Sequence, residues 1–316
     1  MLRVEELDVV YKTGGAFIKA VEDAWLRINA NECVGLIGES GSGKSTIANA
    51  ILRVLPENAK ITRGRILFKD RNLLELTEEE MREVRGKMIS IVFQEPHSSL
   101  NPVLKIGDQI LETLKSHQPN LTTEEAKRKA IELLEAVRIP DAQKILDRYP
   151  FQLSGGMAQR VAIALALSSN PSLLIADEPT SALDLTIQAQ LVKLLTKLID
   201  TFKFSILLIT HDLSLVTNLA NRVYVMYMGS IVEEDHVDNL LNNPLHPYTT
   251  MLINAVKRLQ GTASPSNSIP ELKRIRGLSA CKFSPRCPLA KPICSKEAPP
   301  YVEISTNKKV RCWLYT

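Results

Sequence analysis

The chain has 316 residues, of which 45% are apolar and 23% are charged, and its formal net charge is +4. No apolar run approaches the roughly 18 to 20 residues that cross a bilayer. The N-terminus carries an early acid, Glu5, and no apolar signal core, which argues against a secretory peptide. We therefore expect a globular protein of one large or two modest domains, in the cytosol or attached to a membrane through a partner.

The first predicted elements are a strand and a phosphate-binding loop. Residues 1–12 alternate in hydropathy, and the apolar run Cys33–Ile37 leads into Gly38. The spacing from Gly38 to Gly43-Lys44-Ser45 predicts a loop whose amides cradle phosphates and a helix that starts near Lys44. The lysine adds positive charge, and the Ser45 hydroxyl suits Mg2+. The predicted contacts are Gly38, Ser40, Gly41, Ser42, Gly43, Lys44, Ser45 and Thr46.

The middle of the chain alternates between strands and helices. Residues 64–70 and 88–93 read as strands, 105–150 and 159–168 as helical, and 186–200 as a helix between two apolar strands, Leu173–Ala176 and Ser205–Ile209. Apolar strands alternating with helices predict an α/β fold with a parallel sheet covered on both faces. Prolines 244 and 247 and the polar stretch 261–268 predict a linker before a C-terminal tail.

Two further motifs carry candidate chemistry. Asp177 and Glu178 end an apolar strand, where the first carboxylate can hold Mg2+ and the second can reach an attacking water. Ser154-Gly155-Gly156 is a small-residue turn before a helix, which suits an anion or, equally, a helix cap. Gln94 and His211 each follow a predicted strand, although a lone histidine is more often structural.

The order of these motifs resembles the ATP-binding cassette (ABC) ATPases over roughly residues 1–250. That resemblance implies a P-loop NTPase core with an inserted helical subdomain at about 98–160. It implies that Tyr11 stacks on adenine, that Glu178 is the base, and that Gln94 and His211 contact the γ-phosphate. Ser45, Gln94 and Asp177 would hold Mg2+. Ser154, Gly155, Gly156 and Asp184 would face the ATP of a second subunit, so that two ATPases sandwich two nucleotides.

A narrower resemblance links the chain to the oligopeptide/dipeptide importer ATPases. It rests on residues 93–102, 154–160, 181–188, 243–249 and 281–287. It implies a motor on the cytoplasmic face of the cell membrane, bound to two permease subunits that receive solute from an extracellular binding protein. The cargo would be peptides or a related solute such as oligosaccharides. Gln94 and the apolar segment 100–110 would dock on the permease, unless that segment packs internally.

The C-terminal extension, residues 256–316 after a nucleotide-binding domain at 1–255, is basic and cysteine-rich. Residues 271–316 carry a net charge of +7, which leaves −3 for the rest of the chain. This charge suits RNA, lipid head groups or simple solvation. Cys281, Cys287, Cys294 and Cys312 predict one metal centre, and the resemblance implies a [4Fe–4S] cluster. Zinc, a disulfide pair and free thiols are the alternatives.

Two other functions compete with the importer. A soluble ABC ATPase acting on nucleic acid could use the basic tail as a zinc finger, but such proteins usually carry two cassettes, and the cysteine spacing lacks the close pair typical of zinc sites. An exporter would normally need a fused membrane domain. The sequence therefore favours an importer ATPase with no nucleic-acid partner.

Overall fold

The computed structural model describes residues 1–181, 183–259 and 280–316. Within these ranges the strands are β1 (Leu2–Thr13), β2 (Ala16–Ile28), β3 (Cys33–Ile37), β4 (Ala59–Phe68), β5 (Arg71–Asn72), β6 (Ile89–Val92), β7 (Leu173–Asp177), β8 (Ser205–Thr210), β9 (Arg222–Tyr227), β10 (Ser230–His236), β11 (Val302–Ser305) and β12 (Lys308–Val310). The helices are α1 (Lys44–Leu52), α2 (Glu78–Val84), α3 (Ile106–His117), α4 (Thr123–Ala136), α5 (Ala142–Ile145), α6 (Gly155–Leu167), α7 (Leu185–Phe202), α8 (Leu213–Leu219), α9 (Val237–Asn242) and α10 (Pro247–Leu259).

The chain divides into two compact units that interleave along the sequence. The first unit contains Met1–Leu2, Ile28–Cys33 and Leu67–Ile209. The second unit contains Arg3–Arg27, Val34–Ile66 and Thr210–Thr316. The C-terminal extension therefore folds with the segment that carries the predicted phosphate-binding loop.

Three parallel strands, β6, β7 and β8, form the centre of the first unit. Ile91 pairs with Ile175, and Ile175 pairs with Leu207. Every residue of β7 and β8 is buried, as expected for a parallel sheet covered on both faces. Helices α3, α4 and α6 pack against one another, and α6 also packs on β6. These elements confirm the predicted parallel strands and the helical region between them.

In the second unit one sheet runs in the order β11-β12-β10-β9-β3. Strand β3 lies parallel to β9, with Leu36 opposite Tyr224. Strands β9 and β10 form an antiparallel hairpin, and β12 pairs with β10, with Val310 opposite Glu233. Strands β2, β1 and β4 are neighbours, in that order, in another sheet. The end of the chain thus adds a hairpin to the sheet that leads into the predicted phosphate-binding loop.

Most predicted elements have a counterpart in the structure. The predicted strand at 1–12 is β1, those at 64–70 and 88–93 overlap β4 and β6, and the helix near 186–200 is α7. The part of the predicted linker at 261–268 lies outside the described residues, whereas Pro247 begins helix α10. In the part of the chain that the structure describes, no helix is both long enough and apolar enough to cross a membrane.

Candidate functional site

The predicted phosphate-binding loop of the second unit is a tight turn between β3 and α1. Strand β3 is buried throughout, and α1 begins at Lys44. Gly43 has a φ of 105°, and a Cβ there would overlap the carbonyl oxygen of Ala20. A Cβ on Gly38 would overlap the carbonyl oxygen of Met226. Both positions therefore require glycine, and the close backbone packing fixes the path of the loop.

Lys44 is buried at the centre of this loop. Its ammonium donates hydrogen bonds to the carbonyl oxygens of Gly38, at 2.9 Å, and of Glu39, at 3.0 Å. The first amides of a helix have no intrahelical acceptor, so the start of α1 adds further positive potential beside the ammonium. The loop is therefore built to receive an anion such as a phosphate chain.

Four more predicted nucleotide contacts belong to the second unit. Ser45 is exposed in the first turn of α1. The Tyr11 hydroxyl lies 3.4 Å from the Thr46 hydroxyl, which brings two predicted contacts together. His211 is exposed directly after β8.

The acidic pair of the first unit lies at the end of β7. Asp177 is the last residue of the strand and is buried, whereas Glu178 is half-buried. Glu178 has a φ of 47°, and its amide donates to the carbonyl of Ile209 at 2.8 Å. The Gln94 side-chain amide donates to the Glu178 carboxylate at 3.1 Å. The structure thus joins two predicted catalytic residues and holds one of them in an unusual backbone conformation, a common feature of functional sites.

The small-residue turn Ser154–Gly156, here called the signature turn, begins α6. The Ser154 hydroxyl accepts the amide of Met157 at 3.4 Å, and the Asp184 carboxylate accepts the amide of Ile187 at 3.0 Å. Ser154, Gly155, Gly156 and Asp184 line one cavity of about 500 Å³. A helix-capping role for Ser154 and Asp184 is therefore present in the single chain, and the cavity leaves room for a ligand beside them.

Each residue predicted to hold Mg2+ offers an oxygen ligand. The set consists of the Ser45 hydroxyl, the Gln94 amide and the Asp177 carboxylate. Mg2+ prefers such hard oxygen ligands, and it usually keeps several waters and phosphate oxygens as well. The donor chemistry of this chain therefore fits the ion.

The predicted metal centre in the tail is not supported by the structure. Within residues 1–181, 183–259 and 280–316, no three His, Cys, Asp or Glu side chains are arranged to hold a metal ion. Cys281, Cys287, Cys294 and Cys312 are free thiols, so no disulfide pair joins them. Burial, together with the nearby tail thiols, raises the pKa of Cys312 to about 11. Burial thus favours the neutral form of the Cys312 thiol.

Sequence reasoning missed a set of contacts that residues from two later motifs make with the phosphate-binding loop. Glu39, inside the loop, contacts Tyr248 and Arg286. Tyr248 lies in the motif at 243–249 and Arg286 in the motif at 281–287. The sequence contains both motifs, but neither motif indicates which distant residues it contacts.

Comparisons with known proteins agree with this geometry. The ABC transporter family matches residues 21–181, and the oligopeptide/dipeptide transporter C-terminal region matches residues 232–294. The oligopeptide transport ATP-binding protein AppD of Bacillus subtilis (strain 168) is 44% identical over 320 residues, which cover 100% of this chain and 97% of AppD. The oligopeptide transport ATP-binding protein OppD of Escherichia coli (strain K12) is 41% identical, covering 99% and 93%.

A solved structure shows the same fold. The dimeric, post-hydrolysis ATP-binding cassette MJ0796, bound to ADP and Pi, superposes with a TM-score of 0.68 at 30% identity. The match covers 75% of this chain and 99% of that cassette. With its P-loop fold, its phosphate-binding loop and its full-length similarity to these relatives, the chain belongs to the ABC transporter ATP-binding proteins of the oligopeptide/dipeptide family.

Proposed function

We propose that this chain is the ATP-hydrolysing motor subunit of an ABC importer for oligopeptides or dipeptides. The observation that carries the proposal is the match of residues 232–294 to the oligopeptide/dipeptide C-terminal region, joined to a complete ABC ATPase motif set. The names of AppD and OppD both describe oligopeptide transport. These relatives do not favour the alternative of a soluble ATPase that acts on nucleic acid.

The motifs imply a role for each site residue. Lys44, Ser45 and Thr46 bind the phosphates and Mg2+, together with the loop residues Gly38 and Ser40 to Gly43, while Asp177 supplies a carboxylate for the ion. Tyr11 stacks on adenine, and His211 contacts the γ-phosphate. The signature turn and Asp184 act on the ATP of the second subunit. The support for these roles is the motif order and the loop geometry described above.

Glu178 is the proposed general base, and its contacts suit that task. The carboxylate takes a proton from the water that attacks the γ-phosphate. Gln94 donates to one carboxylate oxygen at 3.1 Å, which orients the group. Bound Mg2+ would neutralise the charge that develops on the phosphate oxygens. Lys44 and the start of α1 supply further positive charge.

The proposed partners are two permease subunits, a solute-binding protein outside the cell, and a second ATPase that is a copy of this chain or a related one. We place the chain on the cytoplasmic face of the membrane. Leu100, Ile106 and Ile110 are buried, so internal packing accounts for much of the segment that was expected to dock. Val103 is 76% exposed, so the loop before α3 remains a candidate contact for the permease.

An uptake assay tests the transport proposal. Cells that lack the gene for this chain should fail to accumulate a labelled tripeptide or pentapeptide, and the parent chain should restore uptake. Lys44→Ala should not restore it, because the ammonium at the centre of the phosphate-binding loop is lost. A labelled oligosaccharide serves as the competing cargo. Peptide uptake that continues without the chain, or that Lys44→Ala restores fully, would contradict the proposal.

We propose the following domains: a nucleotide-binding domain at 1–255, with its helical subdomain at about 98–160, and an extension at 256–316.

The extension is the part of the chain in which we propose a [4Fe–4S] cluster. Its support is proximity, because the Cys281 amide donates to the carbonyl oxygen of Cys294 at 2.9 Å, and one short 3-10 turn separates Cys281 from Cys287. Such a cluster binds each thiolate through a different iron, so the four sulfurs need not converge on one point.

Anaerobic purification tests the cluster. The parent protein should be brown and should contain iron and sulfide in equal amounts. Cys287→Ala should lose most of the iron, whereas Cys33→Ala should keep it, because Cys33 is buried in β3, outside the extension. A colourless anaerobic parent protein, with one zinc ion or no metal, would rule the cluster out.

A further inference from the structure

The phosphate-binding loop contains an acid, Glu39, where a negative charge would oppose an incoming triphosphate. Two residues from later parts of the second unit contact it. The Arg286 guanidinium lies 3.0 and 3.1 Å from the two carboxylate oxygens of Glu39. The Tyr248 hydroxyl accepts the Glu39 amide at 2.9 Å. We call Tyr248 and Arg286 the tail clasp.

Aromatic packing holds Arg286 in place. The residue ends a short turn of 3-10 helix, Ser284–Arg286, between Cys281 and Cys287. Its guanidinium lies over the rings of Tyr227 and Phe283, 5.8 and 5.9 Å from their centroids. Phe283 is itself 1% exposed. The side chain is therefore preorganised toward Glu39 and loses little freedom when it makes the ion pair.

Tyr248, at the start of α10, is also held in place by aromatic packing. It is fully buried, and its ring lies 4.5 Å from that of Tyr227 and 5.5 Å from that of Phe283. Its amide donates to Nδ1 of His246 at 3.1 Å. Burial lowers the pKa of His246 to about 4, so at neutral pH the imidazole is uncharged and keeps this acceptor. Both members of the tail clasp thus share one rigid aromatic cluster.

Glu39 connects this cluster to the ammonium that binds phosphate. The carbonyl of Glu39 accepts a hydrogen bond from Lys44 at 3.0 Å, while its amide and its carboxylate are held by the tail clasp. Arg286 also supplies a positive charge that balances the Glu39 carboxylate. Without Arg286, that carboxylate would be free to turn toward the phosphates and repel them.

We propose that the tail clasp, Tyr248 and Arg286, positions the phosphate-binding loop for ATP by anchoring and neutralising Glu39. The two residues touch no reacting atom, so they are positioning residues that set ATP affinity rather than the rate of the chemical step. The C-terminal extension is then part of the nucleotide site of its own chain. This role concerns ATP binding and does not depend on which solute is transported.

The test compares single variants and one double variant of the purified full-length chain. The Kd for MgATP is measured by displacement of a fluorescent ATP analogue, alongside KM and kcat. Arg286→Met should raise Kd and KM about three- to fivefold, the range that a partly exposed ion pair can supply, and should change kcat less than twofold. Tyr248→Phe, which removes only the accepting hydroxyl, should raise Kd in the same direction. Glu39→Gln in the Arg286→Met background should return Kd to within about twofold of the parent, since no charge is left to repel the phosphates.

Arg311→Met is the matched control. Arg311 is also a tail arginine beside a cysteine, lies over the ring of Tyr301 and pairs with Asp23 at 3.5 Å, and its exposed fraction is 17% against 18% for Arg286. Arg311→Met should leave the ATP affinity unchanged, and Arg286→Lys should stay close to the parent. The proposal is overturned if Arg311→Met weakens ATP binding as much as Arg286→Met, or if Glu39→Gln restores nothing.

Discussion

Glu178 combines a strained backbone with a fixed side chain. Its left-handed φ of 47° turns the chain sharply at the end of β7, and the amide is satisfied by the carbonyl of Ile209. The carboxylate is half-buried and accepts the Gln94 amide. A non-glycine residue in this conformation costs roughly 1–3 kcal/mol, a cost that recurs where a side chain must be aimed. The contact with Gln94 is the feature of this geometry that supports the proposed role of Glu178 as the base.

Glu178→Gln should remove the base and retain the shape of the site. We expect ATP hydrolysis to fall by about 10² to 10⁴, because an amide cannot accept the proton of the attacking water. The Kd for ATP should stay within about twofold of the parent. Glu112→Gln, on an exposed position of α3, is the control and should hydrolyse ATP normally. Near-parent turnover in Glu178→Gln would show that another group acts as the base.

At the scale of elements, side-chain caps mark where several helices begin. Thr77 and Thr122 form capping boxes with Glu80 and Glu125, three residues on, at the starts of α2 and α4. Ser154 and Asp184 cap α6 and α7 with a single side-chain bond each. A cap is worth about 1 kcal/mol wherever it occurs. The caps at Ser154 and Asp184 line the same cavity, and the signature turn differs from Asp184 because its cap is followed by two glycines.

Ser154→Ala and Thr122→Ala separate capping from catalysis. Both changes should lower the free energy of unfolding by about 1 kcal/mol, since each removes the acceptor for an amide in the first turn of a helix. Only Ser154→Ala should also reduce ATP hydrolysis, by tenfold or more, because its hydroxyl is proposed to contact the nucleotide of the partner subunit. Chemical denaturation and steady-state ATPase assays give the two readouts. Equal hydrolysis by the two variants would leave Ser154 with the capping role alone.

Elements with a strong local pattern could be predicted, and those that depend on distant partners could not. Strands β3, β7 and β8 are apolar runs, so the sequence located them. Apart from the buried Val310, the C-terminal hairpin has exposed and half-buried residues. It gains its place from pairing with β10, where Val310 meets Glu233. The site divides in the same way. Motif spacing identified Lys44 and Glu178, but the contact between Arg286 and Glu39 joins residues 247 positions apart and has no local signature.

At the scale of the whole molecule, several basic residues of the tail are paired with acids inside the second unit. The basic tail pairs with acids of the more acidic part of the sequence: Lys282 with Glu22 at 2.7 Å, Lys308 with Asp235 at 2.8 Å, and Arg286 with Glu39 at 3.0 Å. Lys309 lies 4.1 Å from the centre of the Trp25 ring. These four charges of the described part of the tail therefore serve to dock the extension.

One chain carries both a phosphate-binding loop and a signature turn, and the solved cassette to which it is similar is a dimer. In the proposed sandwich, each ATP contacts the loop of one subunit and the signature turn of the other. A substitution in the loop of one subunit therefore disables one of the two sites, and a substitution in the turn of that subunit disables the other. This arrangement makes an arithmetic prediction for mixed subunits, provided that the partner is a second copy of this chain.

Lys44→Ala and Ser154→Ala should each be nearly inactive as purified chains, and a mixture of the two should regain activity. Random pairing makes half of the dimers mixed. Each mixed dimer has one site with two intact halves, so hydrolysis should approach about a quarter of the parent rate. Mixing Lys44→Ala with Lys44→Ala/Ser154→Ala is the control, because none of its dimers contains an intact site. ATPase rates measured at matched total protein give the result, and a mixture no more active than its separate components would contradict a sandwich of identical subunits.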